Sequence, residues 1–209
     1  AEVLGLTGID WLSFVLVWAF HIVIFWRGMN WVETFLNIAG PFVYAVMIGL
    51  LAVLWVKSDG QLLSQAQTIF ANPDATWATE FNGFIAIIGT MVAYFAAVMI
   101  NFSDFSRYAR DKRAMVVGNL VGLPFNMILF SALALLTTAG AAVVYGEAII
   151  NPTEIVGRTD SVLLGVIAAI TFFAATVGIN LVANFIPAVN GIASLAPSNI
   201  SFRKAGLIT

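Results

Sequence analysis

Five long apolar runs recur along the chain, over residues 9–26, 35–56, 81–100, 115–145 and 161–186. Each is near or beyond the roughly 20 residues a helix needs to cross the hydrocarbon core of a bilayer. No ten-residue segment of alternating apolar and polar positions recurs, so the pattern predicts membrane helices rather than a barrel. The polar connection 57–80 contains LLSQAQTIF, which predicts a short interfacial helix, and ANPD, which predicts a turn. The expected architecture is all-α: a polytopic membrane helix bundle of about five transmembrane helices, forming part of one transmembrane domain over 1–209.

Within the runs, the exceptions to the apolar pattern carry the information. The fifth run places Thr176, Asn180 and Asn184 four residues apart, on one face of a helix. Amides in hydrocarbon are costly unless they face a partner, a cavity or a ligand. Gly178, Pro187 and Gly191 are expected to weaken or break the helix beside them. A polar stripe on a broken membrane helix is the usual anatomy of a transporter substrate site. In the third run, Gly83 and Gly89 are expected to loosen the outer half, and Thr90, Tyr94 and Asn101 share a stripe with Phe95 beside it. Tyr94 and Phe95 read first as ordinary packing, because most of the 17 Phe must lie in lipid or core, with a stacking surface as the alternative. In the first run, His21 reads as a proton relay or as a histidine bonded to a neighbouring helix. Gly40–Pro41 in the second run reads as a packing kink or as a hinge. The fourth run has small residues suited to close helix approach (Gly118, Gly122, Ser131, Ala132, Ala134, Gly140), and Pro124 with Asn126 predicts a local irregularity.

Composition agrees with a membrane protein. Hydrophobic residues make up 61% of the chain and charged residues 10%, against about 25% charged in soluble domains. The absence of cysteine excludes disulfides and thiolate chemistry. One histidine and scattered carboxylates give no metal cage, and no basic patch with interleaved aromatics suggests nucleic acid. Paired intramembrane carboxylates and a nucleophile–base pair are missing, so a membrane-embedded enzyme is not expected. Ala1 leads directly into leucine-rich sequence without a basic n-region or cleavage site, so no signal peptide is expected. Both ends are expected to be cuts in a longer protein.

Charge sets the expected orientation. Arg27, the loop 103–113 with Arg107, Arg110, Lys112 and Arg113, and the tail 198–209 with Arg203 and Lys204 fall on one side. The other side has Lys57 and Arg158 among Asp59, Asp74, Glu80, Glu147, Glu154 and Asp160. The positive-inside rule makes the first side cytoplasmic in a multi-pass cell-membrane protein.

Two motifs carry a family resemblance. NFSDFSRYARDKRA at 101–114 and GINLVANFIPAVNGIASLAPSNISFRKAGLIT at 178–209 resemble the nucleobase–cation symporter family of purine, cytosine, uracil, allantoin and hydantoin permeases. WRGMNWVE at 26–33 and Gly40–Pro41 extend the match more weakly. The resemblance implies helices four to eight of a twelve-helix transporter with a LeuT-type inverted-repeat fold. It implies a heterocyclic substrate stacked on Phe95, where many members have Trp, with Tyr94 offering a backbone contact. It implies an amide at Asn184 that pairs with the ring edge, supported by Asn180. Sodium-coupled members have two adjacent hydroxyl residues where this chain has Gly178 and Ile179, and a backbone carbonyl at Ala175. Neither Gly nor Ile has a side-chain oxygen, so H+ is the expected coupling ion rather than Na+, with no other cofactor. The implied partners are the substrate, the bilayer and the remaining helices of the parent chain. A sodium-coupled symporter and a non-transporting scaffold subunit are the alternatives.

Overall fold

A computed structural model of the chain describes residues 4–71, 73–159 and 161–209. Asn72 in the expected ANPD turn, and Asp160 on the acidic side, lie outside the described residues. Among the described residues the fold is helical without a strand, and five helices are long and apolar enough to cross a membrane. The chain divides into two compact units, Ala1–Phe42 with Ile170–Thr209, and Val43–Ala169.

In the first unit, helix α1 (Gly8–Trp26) begins where Thr7 and Asp10 cap each other. The Asp10 carboxylate accepts from the Thr7 backbone N–H at 2.8 Å, and the Thr7 hydroxyl oxygen accepts from the Asp10 N–H at 3.3 Å. Gly28, at φ +92°, reverses the chain in a conformation that favours glycine. Helix α2 (Met29–Lys57) follows at once. Its start lies before the apolar run because its first turn is interfacial: the Arg27 guanidinium sits over the Trp31 ring, 4.3 Å from its centroid. Pro41 lies within α2, which continues past it. Phe20 of α1 meets Phe35 of α2 and Phe173 of the fifth span, at centroid distances of 6.1 and 5.3 Å.

In the second unit, α3 (Leu62–Phe70), the expected short helix, packs on the fourth span, which the later part of α2 also meets. Leu50, Leu54 and Leu62 are fully buried there. Gly140 is required at this contact, since a Cβ would come within 2.8 Å of Leu62 Cδ1 and 3.0 Å of Leu54 Cβ. Helix α4 (Trp77–Ile100) is continuous through Gly83 and Gly89, so the expected loosening there is not seen. The loop after it contains the short helix α5 (Phe102–Ser106) and an Arg107–Asp104 ion pair of 2.8 Å. Asp111 caps α6 (Lys112–Val117), which runs through one π turn (Gly118–Gly122) into α7 (Leu123–Tyr145). After α7, Arg158 bonds Glu147 and, at 2.8 Å, Glu154 of α8 (Pro152–Gly157). The two carboxylates raise the Arg158 pKa, the Glu147 hydrogen bond most.

The fifth span departs from expectation. The helix is not broken at the amides. Helix α9 (Val162–Asn180) passes through a π turn (Leu181–Phe185) into α10 (Ile186–Leu195). The cause is visible one residue later in each interrupted span. Pro187 and Pro124 have no N–H, and their rings would crowd the carbonyl four residues back. In each case the preceding residue reaches back five: Ile186 N–H donates to the Leu181 carbonyl, and Leu123 N–H to that of Gly118. Widening one turn accommodates proline without ending the helix. Helix α11 (Phe202–Ile208), capped by Ser201, packs on α10 and α1.

Candidate functional site

The π turn carries Asn184, one turn beyond Asn180, and both side chains face a cavity in the first unit. The cavity, of about 520 Å³, lies between α1, the π turn and α11. That volume falls within the range of small-molecule pockets. Phe14, Val17, Trp18 and Leu207 supply apolar wall, and His21, Asn180 and Asn184 supply most of the polar groups.

These three residues form one directed chain of hydrogen bonds. The Asn184 amide N–H donates to Asn180 Oδ1 at 2.6 Å. The Asn180 amide nitrogen lies 3.2 Å from His21 Nε2. His21 Nδ1 lies 2.7 Å from the Val17 carbonyl oxygen, which can only accept. Nδ1 therefore carries a proton, and in the neutral ring Nε2 accepts from Asn180. Each group in the row has its orientation set by the next. His21 is buried, with 6% of its surface exposed. Asn184 ends the chain at the exposed side with Oδ1 and one N–H uncommitted, a donor beside an acceptor.

The other residues singled out in the sequence sit as follows. Thr176 leaves the polar stripe by donating to its own helix, at Phe172 O, 2.9 Å away. Gly178 is buried against α2; a Cβ there would lie 3.1 Å from Leu36 Cδ2 and 3.7 Å from Phe35 Cε1. Ile179 turns outward, 61% exposed, and Ala175 is half-buried. Gly178 and Ile179 thus offer no side-chain oxygen to a sodium ion, while Ala175 keeps its backbone carbonyl. Tyr94 and Phe95 belong to the second unit. Tyr94 is exposed, Phe95 is half-buried, and their rings meet edge to face at 5.2 Å. Thr90 donates to the Ala86 carbonyl.

Sequence reasoning did not name α11 as part of the site. Gly206, Leu207 and Thr209 line the cavity, and the only signal was the pair of small residues Ala205 and Gly206 in the tail. The pairing of His21 with Asn180 joins residues 159 apart and left no local mark.

Comparison with known proteins decides the family. The family model described as permease for cytosine/purines, uracil, thiamine and allantoin matches residues 2–209. The chain belongs to this permease family. It is 30% identical to the allantoin permease of Bacillus subtilis, over 100% of this chain and 42% of that protein. It is 26% identical to the purine-uracil permease of Arabidopsis thaliana, over 99% of this chain and 34% of the relative. It is 22% identical to the uridine permease of Saccharomyces cerevisiae, over 98% and 33% respectively. The chain thus spans about two fifths or less of the length of these relatives. No solved structure matches it significantly. The five apolar helices and the permease relatives make it a segment of a multi-pass membrane protein, and the relatives are transporters rather than enzymes.

The π turn at Asn184 yields a test of geometry. Pro187→Ala restores the missing N–H and lets the turn tighten to α register. One residue of register rotates a side chain by about 100° around the helix axis. The expected result is a fall of about tenfold or more in affinity for a ligand seated against Asn184, with thermal stability unchanged or higher. Ligand titration beside a thermal unfolding scan checks both halves; unchanged affinity would mean that proline does not set the amide's direction.

Proposed function

We propose that the chain is part of a permease for uncharged nucleobase-like heterocycles such as uracil, allantoin or a hydantoin, driven by protons. The observation that carries this reading is the held amide of Asn184 at the wall of a cavity lined, histidine apart, by uncharged residues. Such an amide matches the adjacent N–H and C=O groups of an imide or ureide, and it has no net charge with which to select an ion. The names of the relatives, an allantoin permease, a purine-uracil permease and a uridine permease, support the same class.

Phe95 is the proposed stacking surface, and Tyr94 a neighbouring backbone contact, in a partial LeuT-type fold completed by the other helices of the parent chain. The loop 103–113 and the tail 198–209 face the cytoplasm in this reading, because they carry most of the basic residues. Proton coupling is favoured over sodium because Gly178 and Ile179 place hydrocarbon where side-chain oxygens would be needed.

Phe95→Ala is expected to weaken binding by about 1–3 kcal/mol, the range of base–aromatic stacking. Equilibrium titration with labelled ligand measures it, and an unchanged affinity would place the ring elsewhere. The function itself is tested by uptake of labelled uracil, allantoin and a hydantoin into cells expressing the full reading frame, with and without sodium and with a protonophore. Uptake that ignores sodium and collapses with the protonophore supports the proposal. Dependence on sodium would overturn the coupling assignment, and transport of none of the three would overturn the substrate class.

A further inference from the structure

We propose that His21 is a positioning residue that sets which end of the Asn184 amide faces the cavity, so that a proton on His21 Nε2 and a ligand carbonyl on Asn184 favour each other. The inference rests on the reading of Asn184 as the ligand-contacting amide. It follows from the direction of the hydrogen-bond chain. With His21 neutral, Nε2 accepts from Asn180, Asn180 Oδ1 accepts from Asn184, and Asn184 turns Oδ1 outward.

A proton taken from hydronium in the cavity, leaving water, makes Nε2–H a donor and His21 a cation. No heavy-atom bond changes. Nδ1 stays bonded to the Val17 carbonyl, so the ring has no second place to turn. Asn180 must then present Oδ1 to Nε2–H, which swings its NH2 toward Asn184. Asn184 must in turn accept through Oδ1, and its NH2 swings into the cavity. A cation at the inner end also polarises each donor in the row, so that the outermost N–H binds a carbonyl more strongly.

Among the described residues, no side chain of the cavity wall other than that of His21 is titratable. Residues 162–195 of the fifth span contain no charged side chain at all. On α1, Asp10 lies about 16 Å from His21 along the helix and is bonded to Thr7. On α2, Glu33 is exposed and outside the cavity wall. On α11, Arg203 lies over the Trp26 ring and Lys204 donates to the Asn199 carbonyl.

The test uses the protein from the full reading frame, purified in detergent, titrated with labelled uracil and allantoin from about pH 5 to about pH 8, the interval in which histidine ordinarily changes charge. Wild type is expected to bind about tenfold more tightly at the acid end, the worth of one strengthened hydrogen bond. His21→Gln, which keeps polar atoms beside Asn180 but cannot titrate, is expected to bind with the wild type's alkaline affinity or weaker at every pH, with a variation below about twofold. His21→Phe is expected to be equally flat. A wild-type pH profile in His21→Gln would overturn the inference, as would a flat profile in the wild type. Loss of binding in both variants with an unchanged melting curve would also overturn it, since a positioning role leaves Asn184 in place. Asn184→Ala separates the two readings. Binding that survives it defeats the site itself, whereas binding that vanishes while His21→Gln keeps the wild-type profile defeats only the role of His21.

Discussion

Asn184→Ala is expected to abolish ligand binding, with a fall in affinity of about a hundredfold or more. The magnitude follows from what the side chain does at the end of its row. It holds Asn180 through a 2.6 Å bond and leaves a donor and an acceptor for the ligand. Alanine removes both ligand bonds, and a desolvated ring edge left without partners costs more than the bonds themselves contribute. It also frees Asn180 Oδ1, so the proposed ordering by His21 would no longer reach the cavity. Asn119→Ala is the matched control. That amide lies in the other unit and donates only to the Met115 carbonyl of its own helix, so binding should change by less than about twofold. Equilibrium titration of both variants with labelled uracil and allantoin decides the matter. Retained affinity in Asn184→Ala would remove this residue, and the cavity beside it, from the substrate site.

How much of this was legible in the chain differs from residue to residue. The spacing of Asn180 and Asn184 was enough to place both on one face, and they do meet. Thr176 shares the spacing but satisfies itself on the Phe172 carbonyl, a choice open to any helical threonine and invisible to periodicity. The two prolines marked where the fourth and fifth spans would be irregular, because a missing donor is a local fact. The outcome, a π turn rather than a break, depends on whether neighbours hold the helix together on both sides, which is a tertiary fact. The same limit explains the helix ends. Apolarity sees only the hydrocarbon portion of a helix, whereas the Thr7–Asp10 cap and the Asp111 cap before α6 lie beyond it. The partner of His21 was the least legible feature. A histidine on an apolar span has two readings, and only the fold brings Nε2 to an amide on the fifth span.

Phe25→Ala is expected to be the most destabilising single change in the first unit, by about 3–5 kcal/mol, the usual range for truncating a buried aromatic. Phe25 is 2% exposed at the foot of α1. Its ring meets Phe185 of the π turn at 4.8 Å and Phe202 of α11 at 5.4 Å. Val189 and Ala205 complete the cluster. Lipid is as apolar as these side chains, so burial away from water contributes little between helices within the bilayer; close packing is what holds them. Gly206 shows how close it is, since a Cβ there would overlap the Phe25 ring. Gly206→Ala should therefore destabilise as well, by about 1–3 kcal/mol, from overfilling rather than from a void. Because Phe185 and Gly206 also line the cavity, both variants should lose ligand affinity together with thermal stability. Thermal unfolding in detergent with and without ligand measures the two effects side by side. If Phe25→Ala lowers the melting temperature while affinity holds, the wall formed by α11 is dispensable for binding, and the ligand is held by α1 and the π turn alone.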